Sequence, residues 1–120
     1  MKVQLQGQSL RLRIGEDELA RLLAGEDVVN ETRAAGVVLR QAVRLEPGDA
    51  PLFVAGGEEW RFGLPEAALR GYVARLPCRD ALEFVLGEGE ATLELAFEVD
   101  VRDSVRRRGP PPRRKPPGAL

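Results

Sequence analysis

One strand-to-helix junction occurs twice in this chain, fifty residues apart, and it limits the possible folds more than any other feature. The first copy reads "RIGEDELARLL" and the second "RFGLPEAALRGYV". At this offset Ile14 meets Leu64, Glu16 meets Glu66, Leu19 meets Leu69 and Leu22 meets Tyr72. A period of this size marks one supersecondary unit used more than once, whose apolar face is buried only against its neighbour.

Apolar alternation extends the unit on both sides of each junction. Val3 and Leu5, then Leu10, Leu12 and Ile14, flank the turn residues "GQS" and predict a hairpin. Leu19, Leu22 and Leu23 keep helical spacing behind the acids Glu16, Asp17 and Glu18, which suit a helix start, and Gly25 suits its end. Strand period returns in "DVVNETRAAG" and in "VVLRQAVRL", where Val37, Leu39, Val43 and Leu45 share a face, before "EPGDAP" breaks it. The second half follows the same order. Leu52 and Val54, a "GGEE" turn, and Trp60, Phe62 and Leu64 predict a hairpin. Pro65 fits a first helical position, Leu69, Tyr72, Val73 and Leu76 keep helical spacing, and Pro77 ends the helix. "DALEFVLGEGEATLELAFEVDV" predicts the last hairpin, with Leu93, Leu95, Phe97 and Val99 on one face.

The expected fold is therefore α+β and mostly β, a single domain over residues 1–101. Its half-repeats, about 1–46 and 51–101, each run strand–strand–helix–strand–strand, share one core and exchange hairpins as a pseudo-dimer does. A small half-open barrel capped by the two helices is the alternative arrangement. Trp60, Phe62, Tyr72, Phe84 and Phe97 are expected in the core, with Trp60 half exposed near its hairpin turn.

Charge divides the chain differently. Residues 1–100 hold 11 basic and 18 acidic side chains, whereas 101–120 hold 7 basic side chains and only Asp103, so a body of −7 carries a tail of +6. "RRRGPPPRRKPPGAL" has five prolines and one large apolar side chain, Leu120, too little to offset backbone ordering. The tail, 102–120, is expected to be disordered with polyproline-II character.

Few function classes remain open. With no histidine, imidazole metal ligands and Ser–His or Cys–His nucleophile pairs are excluded. Cys78 is a lone thiol in a short loop, best read as a small filler. The carboxylates are scattered, and "GEGE" at 87–90 reads as a hairpin turn. No catalytic residue, metal, cofactor or small-molecule substrate is indicated, and an enzyme is not expected. No apolar run nears the roughly 20 residues of a membrane span. The N-terminal stretch alternates rather than forming a signal peptide, which with one cysteine suggests a cytoplasmic setting.

Two resemblances accompany these features. "MKVQLQGQSLRLRIGEDEL" resembles the start of a family of small, uncharacterised bacterial proteins; the likeness covers the first hairpin and helix, and the ending "FEVDVRDSVRRRGPP" departs from the acidic C-terminal segment usual there. "WRFGLPEAALRGYVARLPCRDALEFVLGEGEATLEL" is similar to the swapped-hairpin unit of AbrB-type regulators, of which MraZ-like proteins carry two, through "LPEAAL" before the helix and "DALEF" after it. That second likeness implies nucleic-acid binding by Arg11, Arg13, Arg61 and Arg70 around the junctions. Arg106, Arg107, Arg108, Arg113, Arg114 and Lys115 of the tail are candidates to add phosphate contacts. The acids beside these arginines support the alternative, a protein-interaction module that uses an edge strand or the proline-rich tail and binds no nucleic acid.

Overall fold

The computed structural model describes residues 1–101, and its elements follow the repeat. The first half contains β1 (Lys2–Gln6), β2 (Ser9–Ile14), α1 (Glu16–Leu23), β3 (Val28–Ala34) and β4 (Val37–Glu46). The second contains β5 (Leu52–Ala55), β6 (Glu59–Pro65), α2 (Glu66–Ala74), β7 (Leu82–Leu86) and β8 (Leu93–Val99), with a 3-10 turn, Gly89–Ala91, before β8. The basic tail, expected to be disordered, lies outside the described residues.

The hairpins are exchanged between the halves. One sheet has the order β1-β2-β8-β7 and the other β3-β4-β6-β5, so each joins a hairpin from the first half to one from the second. Both seams are parallel: β2 runs beside β8 with Leu12 opposite Phe97, and β4 beside β6 with Val43 opposite Phe62. The hairpins themselves are antiparallel. The barrel alternative is incorrect. Among the described residues each sheet is open, with β1 and β7, or β3 and β5, as its edges, and its apolar face is covered by packing rather than by closure.

Alternation decides what is buried. Leu10, Leu12 and Ile14 of β2, and Leu93, Leu95, Phe97 and Val99 of β8, face inward, while Arg11, Arg13, Glu94 and Glu98 face out. Val28, Val43, Phe62 and Leu64 of the other sheet join the same core, with Leu19 and Leu22 from α1 and Leu69 and Tyr72 from α2. Helix α1 packs on β3 and β4, whereas Tyr72 of α2 meets Phe97 edge-to-face at 6.4 Å, so each sheet carries one helix. Phe62, Tyr72 and Phe97 are buried and Trp60 is half-buried, as expected; Phe84, expected in the core, is also only half-buried. Phe53 joins that edge of the core, stacked on Phe62 at 5.1 Å and meeting Trp60 at 5.5 Å.

The junctions explain why two short helices form. In α1 the Gly15 N–H donates to Glu18 Oε1 at 3.1 Å, which satisfies a donor the helix leaves open. At its other end Gly25, at φ 92°, donates to the Leu22 carbonyl and Glu26 to that of Arg21, the Schellman pattern. Pro65 is not the first helical residue. It closes β6 and caps α2 from outside, its φ of −57° setting the turn from strand to helix.

The β3–β4 turn places two residues, Ala35 at φ 51° and Gly36 at φ 79°, in the left-handed region, as a type I′ turn requires. A Cβ at Ala35 is strained there by about 1–2 kcal/mol. Replacing Ala35 with Gly is expected to raise stability by up to about 1 kcal/mol in urea denaturation, after the greater freedom of glycine in the unfolded chain is counted. Leu64→Ala, at the centre of the second junction, is expected to lower it by about 2–5 kcal/mol. A destabilised Ala35→Gly would contradict the turn assignment.

Candidate interaction surfaces

The outer faces of the two sheets carry three of the four body arginines singled out in the sequence, α2 carries the fourth, and each of the four is ion-paired. On the β1-β2-β8-β7 sheet the parallel seam places Arg13 opposite Glu98, and Arg13 Nε donates to Glu98 Oε1 at 3.1 Å. Arg11 pairs with the other oxygen of the same carboxylate. On the second sheet Arg61 pairs with Glu59 on its own strand and lies 4.0 Å from Asp27, which also faces Arg44 at 3.9 Å. Arg70 donates to Glu66 at 2.7 Å, one turn back along α2. The structure does not bring the four together: Arg11 and Arg13 stand on one sheet, Arg61 on the other and Arg70 on a helix. The six tail residues, Arg106 to Arg108, Arg113, Arg114 and Lys115, lie outside the described residues.

Arg11 and Arg61 occupy equivalent places fifty residues apart. Each stands across a parallel seam from an alanine, Ala96 or Ala42. The small side chain leaves a depression in both sheets. Around Ala96 it opens into a groove of about 980 Å³ with Gln4 and Gln6 on one side and Glu83 and Val85 on the other. Around Ala42 it shrinks to about 70 Å³, because Val54 and the ion-paired Arg44 and Arg61 close over it. Across the larger groove Gln4, Arg11, Ala96 and Glu83 form one row, and Gln6, Ser9, Glu94 and Val85 the next. Among the described residues neither Glu83 nor Glu94 has an ion-pair partner.

The β3–β4 hairpin forms a second surface. Strand β6 begins to pair with β4 only at Arg40, so residues 32–39 project past the sheet as a two-stranded arm. One face of the arm carries Glu31, Arg33 and Arg40; Glu31 accepts from Arg33 at 2.7 Å and from Arg40 at 2.6 Å. The other face carries Val37 and Leu39, which are 64% and 40% exposed. Val37, Leu39, Val43 and Leu45 share one face of β4, as expected, but only Val43 is buried and Leu45 half-buried, because the strand outruns the core that would cover its first two members. At the base of the arm Gln41 is buried, and its Oε1 accepts from Asn30 Nδ2 at 2.9 Å next to the half-buried Trp60. Sequence reasoning missed this amphipathic arm. The available signal was "VVLRQAVRLE", three residues longer than its counterpart "LELAFEV".

Other chemistry is sparse among the described residues. No three His, Cys, Asp or Glu side chains are grouped so as to hold a metal ion. Burial pushes the Tyr72 phenol up, opposed in part by a hydrogen bond with the Val99 backbone, and Arg75 lies over its ring at 5.8 Å. Cys78 is half-buried.

Hydrogen bonds from Arg33 and then Arg40 hold the Glu31 carboxyl below its ordinary value. The stabilisation it supplies is present above the ordinary carboxylate range and is lost as pH falls through the lowered native midpoint. Arg40→Ala is expected to raise the Glu31 midpoint in a carboxyl-detected NMR titration; an unmoved midpoint would mean that the pair does not persist in solution. Compared with known proteins, the chain matches no family model, and no curated protein is a detectable relative.

Proposed function

We propose that this chain is a non-enzymatic protein-interaction module whose partner-binding element is the apolar face of the β3–β4 arm. The observation that carries the reading is the exposure of Val37 and Leu39 beyond the edge of their own sheet, above the half-buried Trp60. An isolated two-stranded ribbon is marginal in water, and a partner that covers this face supplies the missing third layer or strand. Along Val37–Leu39 the side of β4 that faces β6 further on has no β6 residue opposite it, which leaves backbone groups open to strand addition.

The exchanged hairpins support the likeness to the swapped-hairpin unit of AbrB and MraZ-type regulators, but a shared fold carries no shared ligand. Duplex binding through the body has unfavourable electrostatics. A phosphate approaching Arg11 or Arg13 meets Glu98, one approaching Arg61 meets Glu59 and Asp27, and residues 1–100 are negative overall. Nucleic-acid binding is thus left to the tail cations.

Affinity capture with the full chain and with Val37→Asp/Leu39→Asp tests the reading, since exposed substitutions cost within about 0.5 kcal/mol each and leave the fold intact. A protein held by the wild type and lost from the variant is expected. Duplex titration at low salt completes the test: Arg11→Ala, Arg13→Ala, Arg61→Ala and Arg70→Ala are each expected to leave any binding unchanged. A tenfold loss with Arg61→Ala, together with identical capture by wild type and arm variant, would replace the module by a nucleic-acid regulator.

A further inference from the structure

We infer that the groove on the outer face of the β1-β2-β8-β7 sheet receives an extended basic segment of a partner protein, with two cations, two residues apart, set against Glu83 and Glu94. The contact is separate from the arm and rests on different residues.

The duplication supplies the comparison. Strands β1 and β2 correspond to β5 and β6 at an offset of fifty, and β3 and β4 to β7 and β8 at fifty-four, so each outer-face position of one sheet has a counterpart on the other. In the β3-β4-β6-β5 sheet Glu31 and Arg40 stand opposite each other and neutralise each other, Arg40 donating to Glu31 at 2.6 Å. Their counterparts are Val85 and Glu94, so a charge is kept and its partner is not. The next pair, Val29 and Ala42, is uncharged, whereas its counterpart sets the Glu83 carboxylate beside Ala96. Among the described residues Glu83 and Glu94 are therefore open carboxylates where the other sheet has a valine and an ion-paired arginine.

Two further replacements open the groove. Arg61 pairs with Glu59 on its own strand and, with Arg44, closes over Ala42. The counterparts of Glu59 and Arg44 are Ser9 and Glu98. Arg11 is thus held by Glu98, on the side away from Ser9, and the floor between Ser9 and Ala96 stays uncovered.

Spacing and charge select the occupant. Glu83 and Glu94 are diagonal neighbours on adjacent strands, about 7–8 Å apart. In an extended chain, side chains two residues apart share a face and lie about 6.6 Å apart, so Lys or Arg at i and i+2 reaches both carboxylates at once. Gln4 and Gln6, alternate residues of β1, line the opposite side, and their amides both donate to and accept from the backbone of a segment lying there. The one cation of the lining, Arg11, is already engaged, so the open charge of the groove is negative and favours a basic partner.

The test titrates the full chain at low salt with the peptide acetyl-Thr-Arg-Thr-Arg-Thr-amide and follows backbone amide shifts by NMR. Shifts are expected to cluster on Gln4, Gln6, Ser9, Glu83, Glu94 and Ala96. Glu83→Gln/Glu94→Gln is expected to weaken binding at least fivefold, and acetyl-Thr-Arg-Arg-Thr-Thr-amide, whose cations lie on opposite faces, to bind at least threefold more weakly. Glu88→Gln/Glu90→Gln removes the same charge outside the groove and is expected to change affinity less than twofold, as is Val37→Asp/Leu39→Asp on the arm. Equal weakening by the two glutamate-to-glutamine pairs, or equal affinity for the two peptides, would reduce the attraction to net charge and overturn the inference. So would shifts centred on the β3–β4 arm, or no shifts at millimolar peptide.

Discussion

Everything in this molecule depends on two parallel seams, β2 beside β8 and β4 beside β6. Each seam joins a hairpin of one half to a hairpin of the other, so neither half owns a sheet. The β2–β8 seam pairs Ser9–Ile14 with Glu94–Val99, nearly the full length of the described chain. Parallel neighbours need a crossover, and here the crossover is the rest of the protein. The buried rows Leu10–Leu95, Leu12–Phe97 and Ile14–Val99 exist only when that long loop is closed, and they must supply the burial that offsets the entropy of closing it.

The seams also set the surface. Because strand residues alternate, the register that buries Leu12 against Phe97 places Arg13 beside Glu98 outside, and the register that buries Phe62 against Val43 brings Arg61 beside Ala42. The arginines are therefore committed to carboxylates by the same pairings that build the core. Exposed pairs of this kind add little stability, but they leave a mixed-sign face on which neither polyanion nor polycation is strongly favoured. Two places escape this neutralisation: the groove at Glu83 and Glu94, and the arm, where strand length exceeds what the core covers.

What was legible in the sequence follows from where local rules govern. The junction repeats at an offset of fifty because Ile14, Leu19 and Leu22 and their counterparts Leu64, Leu69 and Tyr72 do the same work, and all six prove to be in the core. Beyond the helices the offset becomes fifty-four, since Val28–Val43 corresponds in register to Leu82–Phe97. The longer connection from α2 to β7 absorbs the difference, and no periodicity within either half reveals it. The exchange of hairpins was anticipated from the duplication; the partner of each hairpin, and hence the open sheets in place of a barrel, is settled by pairings between the halves, 19 residues apart at the β4–β6 seam and 85 apart at the β2–β8 seam. Val37 and Leu39 show a related limit: alternation placed them on the right face of β4, but it reports which face a residue is on, not whether anything lies opposite that face. The ion pairing of Arg11, Arg13 and Arg61 could be suspected from nearby acids, but Glu98 is adjacent to Arg13 only in the folded sheet.

The dependence of each sheet on both halves is tested most directly by cutting the chain in the exposed turn between β4 and β5 and studying residues 1–48 and 49–120 apart and together. The account predicts that neither piece folds as a monomer and that mixing them restores one cooperative unfolding transition with a midpoint that depends on concentration, as for any obligate assembly. A cooperative, concentration-independent transition in either piece alone would contradict it, because that half would then complete its own sheet.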